Sequence, residues 1–320
     1  LLGTESDLWA RTTTAWLDVL AARAQRDVYT STVEAVAVSA EQERRRFEAG
    51  DSTRDVVAET AAQLAQARAQ LSEATLNLQA RVKALNLLTR LALADLEGFA
   101  LPRDGALPSL PMTQDELLAR ALDSNPELLS AVVAEAIADA RLKQVSADHY
   151  PTLDLVASMN RAQNDTTNTF DTQYRNAQVG LQLVVPIYAG GGVEASRRQA
   201  VAARSATVAD RELTEQRLRI QLSGDWSIQE GLRDRAQAAR ELVSAVREQR
   251  RAIELGIKAG TRTWADLGAT DLLMARRLSE QRNIEASMLK SQSRLLALLP
   301  IEDPAWEAWV ASVSAAATMR

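Results

Sequence analysis

Cysteine is absent from the 320 residues, so disulfides, thiolate metal ligands and thiol nucleophiles are excluded. The single histidine, His149, leaves no imidazole pair for a metal site or a catalytic dyad. Aromatic residues make up only 4% of the chain, few for an ordinary globular core. The net charge of -5 provides no basic surplus for binding nucleic acid. No run of about 18 apolar residues is present, so no segment reads as a membrane-spanning helix. Proline is missing from residues 1–101 and from 187–299, and all eight prolines fall between or after these stretches. Two long helical regions with a punctuated middle follow from that distribution.

What the chain has instead is alanine, leucine, glutamine, arginine and glutamate, the composition of long helices and coiled coils. Leu64, Leu71, Leu78 and Leu85 repeat every seven residues. Val57, Ala61 and Val82 are expected at the alternate seam positions, with Arg68 and Thr75 as interruptions. In the second region Leu242, Val246, Ile253 and Ile257 are expected on one face. A helix over residues 193–257 would be roughly 95 Å long at about 1.5 Å per residue. A rod of that length spans a distance or lines something.

A turn motif occurs twice. Phe47-Glu48-Ala49-Gly50-Asp51-Ser52-Thr53-Arg54-Asp55 recurs as Ile257-Lys258-Ala259-Gly260-Thr261-Arg262-Thr263-Trp264-Ala265-Asp266, the first copy being one residue shorter up to its aspartate. Trp16 and Trp226 lie at equal distances upstream of Gly50 and Gly260. The pattern is that of a duplicated helical hairpin. Ser52-x-x-Asp55 and Thr263-x-x-Asp266 both fit a capping box with an acid in place of the usual Glu or Gln, which alone would account for the acids. Trp264 on such a turn reads as a buried tip contact or as a docking contact.

Between the helical regions, residues 99–125 read as a loop-rich connection and 126–149 as a shorter helix. The period then changes to two. Thr152 to Asn160 places Leu153, Leu155, Ala157 and Met159 on one face, and the segment from Asn176 to Leu183 does the same with Val179, Leu181 and Leu183. Two strands of about ten residues are expected around a solvated loop, Ala162-Gln163-Asn164-Asp165-Thr166-Thr167-Asn168. Tyr150, Phe170, Tyr174 and Tyr188 cluster near the strand ends, as an interfacial girdle would place them. Alternation by itself equally describes a soluble amphipathic hairpin packed on a helix. Gly190-Gly191-Gly192 lacks the Lys-Ser/Thr of a phosphate loop and reads as a strand-to-helix bend.

The segment from Val179 through Pro186 to Gly191, His149-Tyr150-Pro151-Thr152-Leu153-Asp154-Leu155 upstream of it, and the turns Ala259-Gly260-Thr261-Arg262-Thr263 and Arg46-Phe47-Glu48-Ala49-Gly50 together resemble the TolC family of outer-membrane efflux proteins. Order and spacing are kept over nearly all of residues 8–299. The resemblance implies a mainly α fold with a transmembrane β-hairpin and long coiled-coil helical hairpins in tandem repeat. These would assemble into a trimeric α-barrel plus a β-barrel. It assigns 1–98 to a first-repeat hairpin, 150–188 to the transmembrane β-hairpin, 189–299 to a second-repeat hairpin and 300–320 to a tail. The first residues, Leu1-Leu2-Gly3-Thr4-Glu5, show no initiator Met and no signal layout, and the start of the first repeat is expected upstream of Leu1. Only one strand pair is visible, and three copies would supply six strands, fewer than the usual minimum of about eight.

The function implied is passage rather than catalysis: the exit duct of a tripartite efflux pump or a type I secretion system in a Gram-negative outer membrane. The implied partners are two further copies, a periplasmic adaptor, an inner-membrane transporter, outer-membrane lipid and cargo in transit, with no cofactor, metal or nucleic acid. Asp266, Arg262 and, one residue out of step, Asp55 match the family's periplasmic constriction, while Gly50, Gly260, Thr261 and Trp264 would form the adaptor-docking tip. Two family positions depart: a further acid is Ala269 here, and a tyrosine is Ile257. Leu153, Leu155, Val179, Leu181 and Leu183 would face lipid, with Asp154, Ser158, Asn160, Asn176, Gln178 and Gln182 facing the lumen. The competing readings are a soluble coiled-coil scaffold and a periplasmic adaptor, the latter requiring a lipoyl-like β-domain that is not found in the sequence.

Overall fold

The computed structural model describes residues 2–90, 101, 108–166 and 169–318. They form two compact units, Leu1–Pro126 with Arg217–Arg320, and Glu127–Gln216. The elements in chain order are α1 (Leu2–Glu48), α2 (Arg54–Thr89), α3 (Gln114–Ser124), α4 (Pro126–Ala147), β1 (Thr152–Thr166), β2 (Thr169–Val184), α5 (Gly192–Lys258), α6 (Trp264–Leu296) and α7 (Pro304–Thr318).

In the first unit α1 packs against both α2 and α6. The leucine seam forms, with Leu78 and Leu85 nearly inaccessible beside Val19 and Ala22, and with Leu64 against Val36, Ala67 and Leu272. Of its expected alternate positions, Val82 packs against the Leu78 and Leu85 cluster, but others differ from expectation. Thr60, Ala67 and Ala74, each four residues before a leucine, are buried, whereas Ala61, three before Leu64, and Arg68, four after it, are exposed. Small residues at the alternate positions bring the helix axes close. The long arginine stem stays outside, where its charge is hydrated.

The α5 seam is likewise shifted by one residue at its start. Val243 is buried and Leu242 is 47% exposed. The buried set Leu218, Leu222, Gln229, Leu232, Ala236, Ala239, Val243, Val246 and Ile253 follows steps of three, four or seven, one seam of a heptad pattern. Ala236 and Ala239 meet Ile284 of α6. At the end away from the tips, Trp309 donates its indole N–H to Gln292 at 2.8 Å, and Gln292 donates to the Pro108 carbonyl at 2.8 Å. Trp306 packs edge-on against both Trp9 and Trp309. The connection expected as loop-rich carries α3, capped by a reciprocal Thr113–Glu116 box whose T-x-x-E signature stands in the sequence.

In the second unit α4 and the start of α5 run antiparallel. Arg211 bonds Glu135 at 2.8 Å, and Arg204 contacts Asp139. The strands between them are antiparallel and longer than expected, 15 and 16 residues. The polar segment 162–166 is strand rather than loop, with a register shift between Asn164 and Thr166. Backbone ladders need no apolar side chains, so the pairing runs on past the end of the alternation. The bend into α5 closes with Gly192 N–H donating to Ala189 at 3.0 Å. Among the described residues no helix is long and apolar enough to cross a membrane.

Candidate functional site

Two hairpin tips lie in the first unit. Each leaves its first helix through a glycine in the left-handed region, Gly50 at φ 87° and Gly260 at φ 73°, where a Cβ would be strained. At the second tip the carbonyl of Gly256 accepts from Thr261 N–H at 2.9 Å and Arg262 N–H at 3.2 Å. A Cβ on Gly256 would stand 2.5 Å from Arg262 Cγ, so the Arg262 stem lies folded over the last turn of α5. Its head makes no ion pair among the described residues.

Thr263 then caps α6. Its N–H donates to Asp266 Oδ2 at 2.9 Å, and Asp266 N–H returns to Thr263 Oγ1 at 3.1 Å. The capping box expected here is present, and the carboxylate stands at the positive end of the helix. Trp264, the first helical residue, is half-buried.

The first tip is built differently. The cap of α2 is Thr53, not Ser52, and its side chain caps no backbone N–H. Ser52 donates instead to Glu43, a buried carboxylate of α1 that also lies 3.7 Å from Arg46. Glu43 draws the hydroxyl away because a buried carboxylate demands donors. The glycine-to-cap spacing is therefore equal in the two tips. The missing residue lies between cap and aspartate, which puts Asp55 at the second helical position and Asp266 at the third. One position rotates a side chain by about 100°, so the two acids point differently about their helix axes. The Thr53 hydroxyl and the adjacent backbone N–H groups hold the Asp55 carboxyl below the usual range.

The tips are also staggered. Ala67, 14 residues beyond the Thr53 cap, packs beside Leu272, nine beyond the Thr263 cap. The first tip thus reaches about five residues, roughly 7 Å, farther. Asp55 and Asp266 of one chain therefore lie at different levels along the helix axes, about six residues or roughly 9 Å apart. Gln63 of α2 ties the two hairpins, donating to the Ala265 carbonyl at 3.2 Å, with its Oε1 directed at Gly268.

Periodicity alone does not find the charge bridge between α5 and α6. Arg250 occupies a seam position and donates to Asp271 at 2.6 Å and Glu254 at 2.5 Å. Burial pushes the Asp271 carboxyl up, and the attraction of Arg250 only partly opposes it. An arginine on an apolar seam was the available signal.

In the second unit the strand register segregates two faces. Leu153 pairs with Leu183, Leu155 with Leu181, and Ala157 with Val179; on the other side Asp154 pairs with Gln182, Ser158 with Gln178, and Asn160 with Asn176. All five leucine and valine positions of the expected apolar set are 64–75% exposed. Tyr150 and Tyr188 are exposed near the base of the hairpin, while the side chains of Phe170 and Tyr174 lie outside the described residues. No cluster of His, Asp or Glu suited to a metal ion occurs among the described residues.

Comparison with known proteins converges on this architecture. The chain is 35% identical over 159 residues to the alkaline protease secretion protein AprF of Pseudomonas aeruginosa, covering 49% of this chain and 33% of that protein. It is 31% identical over 204 residues to the proteases secretion protein PrtF of Dickeya chrysanthemi, covering 61% and 43%. The chain thus spans less than half the length of these relatives. Among solved structures, a membrane protein from Pseudomonas aeruginosa superposes with a TM-score of 0.72 at 20% identity, over 92% of this chain and 69% of that one. The outer membrane protein VceC of Vibrio cholerae gives 0.70 at 17%, over 93% and 73%. Residues 117–299, which hold the amphipathic strand pair and the capped second hairpin, match the outer membrane efflux protein family, and the chain belongs to that family.

Proposed function

We propose that this chain forms part of a trimeric outer-membrane duct that passes exported solutes or proteins from the periplasm to the outside. The observation that carries the reading is the strand pair: an apolar and a polar face, both exposed in the single chain, between two long helices. Such a hairpin buries its apolar face in lipid and turns its polar face to a water-filled lumen. A closed barrel of eight or more strands needs a further pair per protomer beyond the one described. The stripe Leu129, Val133 and Ile137 on α4, 43–65% exposed at spacings of four, supports contact with neighbouring copies. The names of AprF and PrtF favour protein secretion over drug efflux, with a periplasmic adaptor and an inner-membrane transporter as the remaining partners.

Within the duct, Asp266 is the residue best placed to present a fixed negative charge at the tip, and Asp55 contributes a second level about 9 Å away rather than the same ring. Gly50, Gly260, Thr261 and Trp264 form the surface offered to an adaptor. Asp266→Asn separates the capping and gating roles, because the amide oxygen still accepts from Thr263 N–H while the charge is lost. In planar-bilayer recordings the variant should lose cation preference and sensitivity to divalent block with the trimer intact by native mass spectrometry. Unchanged selectivity would leave Asp266 as a helix cap alone, and a monomer without conductance would overturn the duct.

A further inference from the structure

The apolar face of the hairpin does not end in another apolar rung. After Leu153/Leu183, Leu155/Leu181, Ala157/Val179 and Met159/Ala177, the next pair on the same face is Arg161 opposite Arg175. Both arginines are exposed. Like charges set directly across a strand pair repel, and this pair stands at the margin of the apolar band. From Tyr150 to Arg161 the chain advances about 36 Å at roughly 3.3 Å per residue, or about 28 Å in height at a tilt near 40°. That matches an apolar band of about 25 Å with one interfacial layer at each end. Tyr150 and Tyr188 mark the margin nearer the helices, and the arginine rung marks the margin away from them.

We propose that Arg161 and Arg175 form a two-guanidinium clamp for the phosphate of a lipid headgroup in the outer leaflet. The proposal rests on reading the hairpin as a membrane strand pair. Two planar guanidinium groups projecting from adjacent strands on the lipid side offer paired N–H donors to one tetrahedral anion. A shared phosphate would bridge the two guanidinium groups with charge-assisted bonds. A lipid supplies that phosphate at the right depth, with its acyl chains laid along Met159, Ala157 and Leu155 below. The clamp would fix the height of the barrel in the bilayer and hold a ring of phosphorylated lipid around it.

The test uses the intact protein in phosphatidylcholine vesicles doped with lipid A, with lipid retention read by native mass spectrometry after extraction. Wild type retains lipid A. R161Q/R175Q retains less by on the order of tenfold or more, as loss of two interfacial cations dictates, and R161K/R175K falls between. Equal retention by wild type and R161Q/R175Q overturns the clamp. Release of the lipid by millimolar inorganic phosphate overturns the headgroup assignment in favour of a free-anion site. A bimane probe on Met159→Cys, read in both backgrounds with a bilayer-resident quencher, separates the two readings. Quenching together with equal lipid retention removes the clamp and leaves the membrane hairpin, whereas absence of quenching in wild type removes both.

Discussion

Gly268→Ala is the most informative single change in the helical unit. Alanine for glycine inside a helix stabilises by about 1 kcal/mol when nothing else changes. Here the new Cβ would stand 2.3 Å from Gln63 Oε1 and 3.4 Å from Gln63 Cδ, too close to be accommodated without movement. The far end of Gln63 is flexible, so the side chain swings away and its bond to the Ala265 carbonyl is lost. A buried side-chain hydrogen bond broken with its donor left without an equal partner costs about 1–3 kcal/mol. The single variant should therefore be neutral to about 2 kcal/mol less stable, opposite in sign to the helix propensity. Combined with Gln63→Ala, the same substitution should stabilise by up to about 1 kcal/mol relative to Gln63→Ala alone. The readout is a double-mutant cycle in native-state hydrogen exchange at the amides of residues 267–272. A coupling near zero, with Gly268→Ala stabilising in both backgrounds, would refute the contact between α2 and α6 next to the second tip.

Asp266→Ala removes cap and charge together, so it should destabilise the start of α6 by about 1 kcal/mol and also lower cation preference, as exchange and conductance measured on one sample would show. Val179→Arg should cost about 2–4 kcal/mol of membrane stability while Gln178→Arg costs little, measured by urea unfolding from vesicles, because the first lies on the apolar face and the second on the polar one. Asp271 holds its proton to higher pH folded than unfolded, so its contribution is full below the ordinary Asp range near pH 4 and is lost as pH rises through the raised value. Asp271→Asn should flatten that part of the stability profile; identical wild-type and variant pH profiles would contradict the burial-driven shift.

The sequence was most legible where a period is long and redundant. Leucines every seven residues located the α2 seam, and alternation located both strand faces. It misled where two neighbouring residues were equally apolar, as at Leu242 and Val243, because one step changes the face and composition does not arbitrate. The choice between Ser52 and Thr53 as cap turned on Glu43, a residue nine positions back whose burial is decided by tertiary packing. Strand length was underestimated because the ladder continues through Asn, Gln and Thr once register is set. The bridge from Arg250 to Asp271, and the stagger of the two tips, depend on how far one helix slides along another. That is a property of packing, and no local pattern records it. The capping box of Thr263 and Asp266 was fully legible, since it needs only residues three apart.

The account stands or falls on the two faces of the hairpin. The chain has no native cysteine, so single cysteines at Leu155 and Leu181, and separately at Ser158 and Gln178, can be labelled cleanly in the reconstituted protein. Fluorophores at the first two should be quenched by bilayer-resident quenchers and protected from aqueous thiol reagents, whereas the second two should react with those reagents through the lumen. Equal aqueous reactivity at all four positions would contradict a membrane-spanning strand pair and, with it, the duct.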